Sequence, residues 1–175
     1  NPNDLKSYKK YFENITLPSV NIGIIEQQEP LGIADALAQV VDRYPDRAIL
    51  LHLGDNIFVG ENWTSRLKEL QADAYSCCIM IKSVTDPTSF GVVELDSNRE
   101  KVIGIEEKPS HPKSNYVATG LYYFPNDIAK HVKDISLSAR GEYEITSVIQ
   151  SYLDQQKLRS VVLGRGFNWL DCGSF

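Results

Sequence analysis

The run Leu50-Leu51-His52-Leu53 breaks off in Gly54, Asp55 and Asn56. A strand buried on both faces reads as such an apolar run, and its end is where an open α/β sheet places ligands. Asp55 is then an acidic group at the mouth of a crevice. Toward the other end of the chain FNWLDCG repeats the design, with Asp171 after a short aromatic strand. Two carboxylates delivered by two strand ends are what one divalent cation and a polyphosphate ligand require. Either aspartate alone reads as a cap or turn residue; only the pair brings a metal site into view.

Three more segments carry groups able to grip an anion or a ring. EQQEPLGIADAL sets Gln27 at a strand end and Gly32 at a helix start. A helix start leaves N–H groups unpaired, glycine lets a ligand approach them, and an amide offers both a donor and an acceptor to one edge of a base. The plainer alternative is a strand-to-helix turn with a surface glutamine. In IEEKP, Glu107 and Lys108 leave a strand on opposite faces. They read as a solvated ion pair, or as a sugar-binding carboxylate beside a phosphate-binding ammonium. In SARGEYEIT, Arg140 sits immediately before a helix start, where its planar fork suits a phosphate. Glu142 and Glu144 serve equally well as first-turn acids facing the helix dipole. His52, His111 and His131 lack partners at metal or triad spacing and read as structural or surface residues.

These residues need a scaffold, and hydrophobic spacing supplies one. Asn1-Pro2 opens a helix running from about Asn3 to Asn14. Val20–Glu26 reads as a strand. Ile33, Leu37, Val40, Val41 and Tyr44 share one helical face, closed by Pro45. Ala48–Leu53 is the buried strand, Trp63–Leu70 a second amphipathic helix, and Tyr75–Val84 a strand. GVVELDSNREKVIGIEEKP alternates over two runs around Ser97-Asn98 and reads as an antiparallel hairpin. A strand follows in VATGLYYFP, then helices over Asn126–Ile135 and Gly141–Gln156, and strands over Arg159–Leu163 and Asn168–Leu170. Strand-helix units first and hairpins later imply a mixed α/β sheet flanked by helices, with a nucleotide half and a half that covers another substrate.

The bulk properties narrow the possibilities. The 175 residues fit one domain with a proper core, 42% apolar and 23% charged. A net charge of -5 gives a nucleic-acid partner no support, and no apolar segment reaches membrane-spanning length. Cys77, Cys78 and Cys172 lack zinc-ligand spacing and read as reduced thiols of a cytoplasmic protein. Cys77 and Cys78 are adjacent in a strand and point to opposite faces.

Together QQEPLGIADAL, LGDNIF, FGVVELD, EEKPSHPKSNYVATGLYYF, SARGEYEIT and WLDCGS resemble the sugar-nucleotide pyrophosphorylases, most closely their thymidylyl branch. The strings come in the family's order and cover nearly the whole chain from Gln27 onward. The resemblance implies a Rossmann-like nucleotidyltransferase sheet and transfer of a nucleotidyl group from dTTP to glucose 1-phosphate, with Mg2+. It implies that Gln27 and the Gly32 backbone recognise the base, and that Asp55 and Asp171 hold the metal. Gly91, Glu107 and Ala118 line the sugar pocket, with Tyr122 at its edge. Lys108 and Arg140 bind the sugar phosphate, and Trp169 packs close to the metal strand. The chain is expected to be one partial domain, residues 1–85 on the nucleotide side and 86–175 on the sugar-phosphate side. It carries neither the family's GxGTRL loop, with the Lys that follows it, nor the helices beyond WLDCGS. It is therefore expected to be inactive or weak alone and to be completed by another segment or a homo-oligomer. The alternatives are transfer from UTP or to another sugar 1-phosphate, and a non-catalytic sugar-phosphate-binding or regulatory module.

Overall fold

The computed structural model describes residues 5–15 and 18–173. Five helices are assigned there: α1 (Leu5–Glu13), α2 (Ile33–Arg43), α3 (Trp63–Leu70), α4 (Ile128–Val132) and α5 (Ile145–Asp154). The strands are β1 (Ile49–His52), β2 (Asn56–Gly60), β3 (Cys77–Ser83), β4 (Gly91–Leu95), β5 (Val102–Glu107), β6 (Tyr116–Phe124), β7 (Leu158–Val162) and β8 (Phe167–Asp171).

The main sheet runs β5-β4-β6-β3-β7, with β1 also bonded to β6; β2 and β8 form a separate antiparallel ribbon. Among the described residues only β3–β7 is parallel. The period-two pleat sends alternate β3 residues to opposite faces. Cys77, Ile79 and Ile81 meet α2, α4 and α5 in one apolar cluster. Cys78 and Met80 meet Leu70, Leu67 and Trp63 of α3, with Phe167, in the other. The adjacent cysteines thus separate as expected, and burial pushes both thiols up, Cys78 to about 12.

The sheet forks at β6. Strands β1 and β4 bond to the same edge of β6, β1 at Leu121–Phe124 and β4 at Tyr116 and Val117. On the far edge the β3–β6 register slips between Ile79 and Ile81. Gly120, with φ +79°, lies in the slipped stretch, and the buried Thr119 donates its hydroxyl to the Met80 carbonyl (2.9 Å). A left-handed turn inside a strand is cheap only for glycine, so the irregularity sits where the sequence permits it.

Several expectations are corrected. Val20–Glu26 is not a strand: it has no ladder partner among the described residues, and Val20 and Ile22 are exposed. The strand expected over Ala48–Leu53 is not buried on both faces. It alternates half-buried and exposed, Leu50 being 43% exposed, and β6 is its sole strand partner among the described residues. Asn56–Gly60 is a strand the apolar pattern did not announce, since a two-stranded ribbon with one solvated face shows no continuous run. The last long helix starts at Ile145, not Gly141, so Glu142 and Glu144 precede the first turn; Glu144 is the N-cap residue. The Asn1-Pro2 helix opening lies outside the described residues.

Candidate active site

Glycine at position 32 decides how the first wall of the cleft is built. Gly32 caps α2 with φ 101°, and a Cβ there would sit 2.6 Å from the Tyr143 carbonyl oxygen. The close approach lets Tyr143 N–H donate to Leu31 (2.7 Å) and Ala34 N–H donate to Tyr143 (3.1 Å). The start of α2 is thereby stitched to the segment leading into α5. Gln27 is held against it: its amide nitrogen donates to the Gly32 carbonyl (3.1 Å) and to Asp35 Oδ2 (2.7 Å). A carboxylate only accepts, so the amide orientation is fixed, both N–H groups are used, and the Gln27 side-chain oxygen remains as an acceptor.

The opposite wall carries Asp55 and Asp171. After β1 the chain is pinned to β6 by Leu53 N–H to the Gly120 carbonyl (2.9 Å), then turns into β2. Pairing of β2 with β8 sets Asn56 opposite Asp171, and Cys172 N–H donates to the Asp55 carbonyl (2.8 Å). A methyl at Gly173 would collide with Asp55 Oδ2 and come within 3.2 Å of Asp171 Oδ1. Both carboxylates thus converge on one bare point. Each has one oxygen engaged: Asp55 Oδ1 accepts from Asn56 Nδ2 (2.7 Å), and Asp171 Oδ1 from Gly173 N–H (3.0 Å). Among the described residues no three His, Cys, Asp or Glu side chains gather as a metal cage. Two hard carboxylates fit Mg2+, which keeps several waters and completes its shell with phosphate oxygens.

Glu107 and Lys108 lie between these walls, and here the expected geometry is overturned. They do not leave β5 on opposite faces. Lys108 adopts φ +41°, held by its N–H to the Phe90 carbonyl (3.0 Å), and this left-handed step cancels the pleat alternation. Both residues line both cavities of the region: a cleft of about 770 Å3 and a smaller pocket of about 150 Å3. The cleft holds Gln27, Gly32 and Arg140; the pocket holds Asp55, Gly91, Ala118, Tyr122 and Asp171. The candidate site residues thus line two adjoining cavities that share Glu107 and Lys108. Gly91 is closely approached in this pocket: a Cβ there would stand 2.8 Å from Thr146 Cγ2 and 3.5 Å from Glu107 Oε2.

Arg140 sits on a turn closed by Gly141 N–H to the Ser138 carbonyl (2.9 Å). Its guanidinium approaches Glu107 (3.5 Å), Glu142 (3.3 Å) and Glu144 (3.6 Å). These long, partly solvated contacts are individually weak, on the order of 1 kcal/mol or less. Burial, followed by the neighbouring Glu144 charge, raises the Glu107 carboxyl above its ordinary value. Burial likewise raises the Tyr122 hydroxyl. Sequence reading missed Asn56, Phe90 and the structural part of Glu144, which accepts from Ser138 Oγ (2.9 Å). The adjacency of Asn56 to Asp55 was the one available signal. His131 also has partners the spacing concealed: Ser151 Oγ lies 2.7 Å from Nδ1, Asp127 lies 3.9 Å from Nε2, and Tyr152 stacks on the ring. That group is packed between α4 and α5, outside the cleft.

A mixed sheet with helices on its faces thus sets an acidic pair in one cavity and an arginine in the next, with Glu107 and Lys108 bordering both. The chain belongs to the nucleotidyl transferase family, whose model matches residues 1–175. It is 36% identical over 173 residues to the glucose-1-phosphate thymidylyltransferase of Neisseria meningitidis and 38% identical over 174 residues to that of Mycobacterium tuberculosis. Each alignment takes in 99% of this chain and 60% of the relative, so the chain spans about three-fifths of their length. Among solved structures it is similar to a candidate glucose-1-phosphate thymidylyltransferase from Bacillus anthracis in complex with a sucrose. The TM-score is 0.71 at 34% identity, over 83% of this chain and 58% of that one. No described helix is long and apolar enough to cross a membrane.

Proposed function

We propose that this chain forms the substrate-binding core of a glucose-1-phosphate thymidylyltransferase, which joins the thymidylyl group of dTTP to glucose 1-phosphate and releases pyrophosphate. The names of its relatives favour this reading. The observation that supports it is that two cavities meet at one pair of residues: Glu107 and Lys108 border both the Asp55–Asp171 pocket and the Arg140 cleft. In this reading Gly91, Glu107, Ala118 and Tyr122 surround the sugar, and Lys108 and Arg140 take its phosphate. Asp55 and Asp171 hold Mg2+, which when bound neutralises phosphate charge. The attacking phosphate oxygen is already an anion, so no side chain need remove a proton. What the residues supply is alignment and charge neutralisation. Gln27 presents an acceptor, which matches the N3–H donor of thymine and finds no partner on the N3 of cytosine or the N1 of adenine.

The same reading takes residues 1–85 as the nucleotide side and 86–175 as the sugar-phosphate side of one partial domain that self-associates or is completed by another segment. The unpaired, buried Cys77 and Cys78 support a reducing, cytoplasmic setting. A second reading, transfer from UTP, is favoured by one fact: uracil shares the N3–H, and a single methyl discriminates poorly.

Calorimetry of the 175-residue chain with glucose 1-phosphate should show binding. No heat at millimolar ligand would count against the sugar-phosphate assignment. Turnover is read as pyrophosphate release from dTTP, glucose 1-phosphate and Mg2+ by the chain extended at its N-terminus with a GxGTRL segment. There Asp171→Asn should abolish the rate, an unchanged rate would reject the carboxylate roles, and competition between dTTP and UTP ranks the nucleotides.

A further inference from the structure

Asn56 is only 7% exposed, and its amide spans two groups that tolerate a single arrangement. Trp169 Nε1–H donates to Asn56 Oδ1 (2.6 Å), and Asn56 Nδ2–H donates to Asp55 Oδ1 (2.7 Å). Indole can only donate and a carboxylate can only accept. A side chain joining them must accept at one end and donate at the other, which among short side chains an amide does and an aspartate, leucine or alanine does not. The surroundings are shaped to it: a Cβ on Gly120 would stand 3.0 Å from Asn56 Nδ2, and Gly120 has φ +79°. The Trp169 ring is itself braced edge-on by Phe90 at 5.2 Å between centroids.

We infer that Asn56, oriented by the Trp169 indole, is a positioning residue that fixes one oxygen of Asp55 and turns the other toward the point shared with Asp171. The inference rests on the proposed metal role of that pair and deepens it. An unbraced Asp55 carboxylate rotates among several orientations; the amide removes that freedom before any cation arrives. Such outer partners set the orientation of ligating groups, and losing one typically costs about 10–100-fold in metal affinity.

The probe is Mn2+ added to the intact 175-residue chain and followed by electron paramagnetic resonance. Quenching of Trp169 emission in a Trp63→Phe background gives a second readout. Asp55→Asn should remove the site. Asn56→Leu, with the same number and branching of side-chain heavy atoms but without either hydrogen bond, should weaken Mn2+ binding by about 10–100-fold. Trp169→Phe, which keeps the aromatic contact with Phe90, should weaken it in the same direction by a smaller factor. In the Asp55→Asn background Asn56→Leu should add no further loss, whereas a merely structural role would lower the Tm in both backgrounds and leave the affinity of the folded chain alone. A folded Asn56→Leu chain with wild-type Mn2+ affinity would overturn the inference; if that variant does not fold, Trp169→Phe decides by the same criterion. The metal reading fails separately, and takes the inference with it, if the wild-type chain retains no Mn2+ or Asp55→Asn binds it equally well.

Discussion

At one end of the cleft Asp55 and Asp171 are set by a two-stranded ladder and by hydrogen bonds of 2.7–3.0 Å. At the other, Arg140 stands on a turn and meets three carboxylates at 3.3–3.6 Å. The first end spends its hydrogen bonds on orientation before any ligand arrives. The second stores charge in weak contacts that an incoming phosphate, bidentate to the guanidinium, can displace at little cost. On the proposed reading the difference is functional: a pair of acids that takes a cation must be held, because each repels the other, whereas an arginine that takes a dianion needs only to be kept near, because the ligand would complete its shell.

Substitutions at the mobile-charge end should expose this difference. Arg140→Ala is expected to weaken glucose 1-phosphate binding by about 10–100-fold, the worth of hydrogen bonds to a charged group. Arg140→Lys should restore only part of it, since an ammonium lacks the planar fork. Calorimetry at rising salt should show the wild-type affinity falling; an Arg140→Ala chain with unchanged affinity would move the phosphate site elsewhere. Gly91→Ala tests shape alone. Its methyl would press on Thr146 beside Glu107, and sugar-phosphate affinity should drop by about tenfold, within the roughly 1–3 kcal/mol that overpacking costs. Circular dichroism should show an intact fold.

Glu107→Gln separates binding from stability. A carboxyl whose folded pKa is raised holds its proton more tightly folded than unfolded. Stability is then greatest below the unfolded value and falls as the pH rises through the folded one. At neutral pH the Glu107 charge is thus a burden. Glu107→Gln should raise the Tm, by at most about 2–4 °C, while sugar-phosphate binding weakens. A lowered Tm would mean that its contact with Arg140 matters more than its burial.

The smallest effect is expected away from the cleft. Burial lowers the His131 pKa, against the opposing pull of Asp127. For a depressed histidine, stability is present above the unfolded value, near ~6.5, and is lost as pH falls through the folded one. His131→Gln should flatten the decline of Tm between neutral pH and about pH 5 without changing ligand binding. An unaltered slope would assign that acid sensitivity to other groups.

Much of this architecture was legible in residue order. Helix α3 matches the expected Trp63–Leu70 span, and the β4–β5 hairpin follows from its alternating pattern. The opposite facing of Cys77 and Cys78 needs only the pleat. The candidate cleft was visible as a set of short strings, because the residues assigned to it, such as Asp55, Glu107 and Asp171, stand at or just past strand ends. Other features stayed hidden for physical reasons. Val20–Glu26 has a strand's composition, but composition does not supply a ladder partner. Lys108 follows a regular strand, and nothing local announces a left-handed step. Asn56 reads as a turn residue until Trp169 is placed beside it.

By itself, then, the order of residues determined which segments could become helix or strand, which side chains were available for chemistry, and the family to which they belong. Tertiary structure alone decided that Asp55 and Asp171 share one point, that Lys108 turns to the same side as Glu107, and that a tryptophan aims an asparagine at a carboxylate. Periodicity is a local property, encoded over a few residues. Convergence depends on strand register and on where β6 lets β1 and β4 part, and these are settled only when the whole sheet packs.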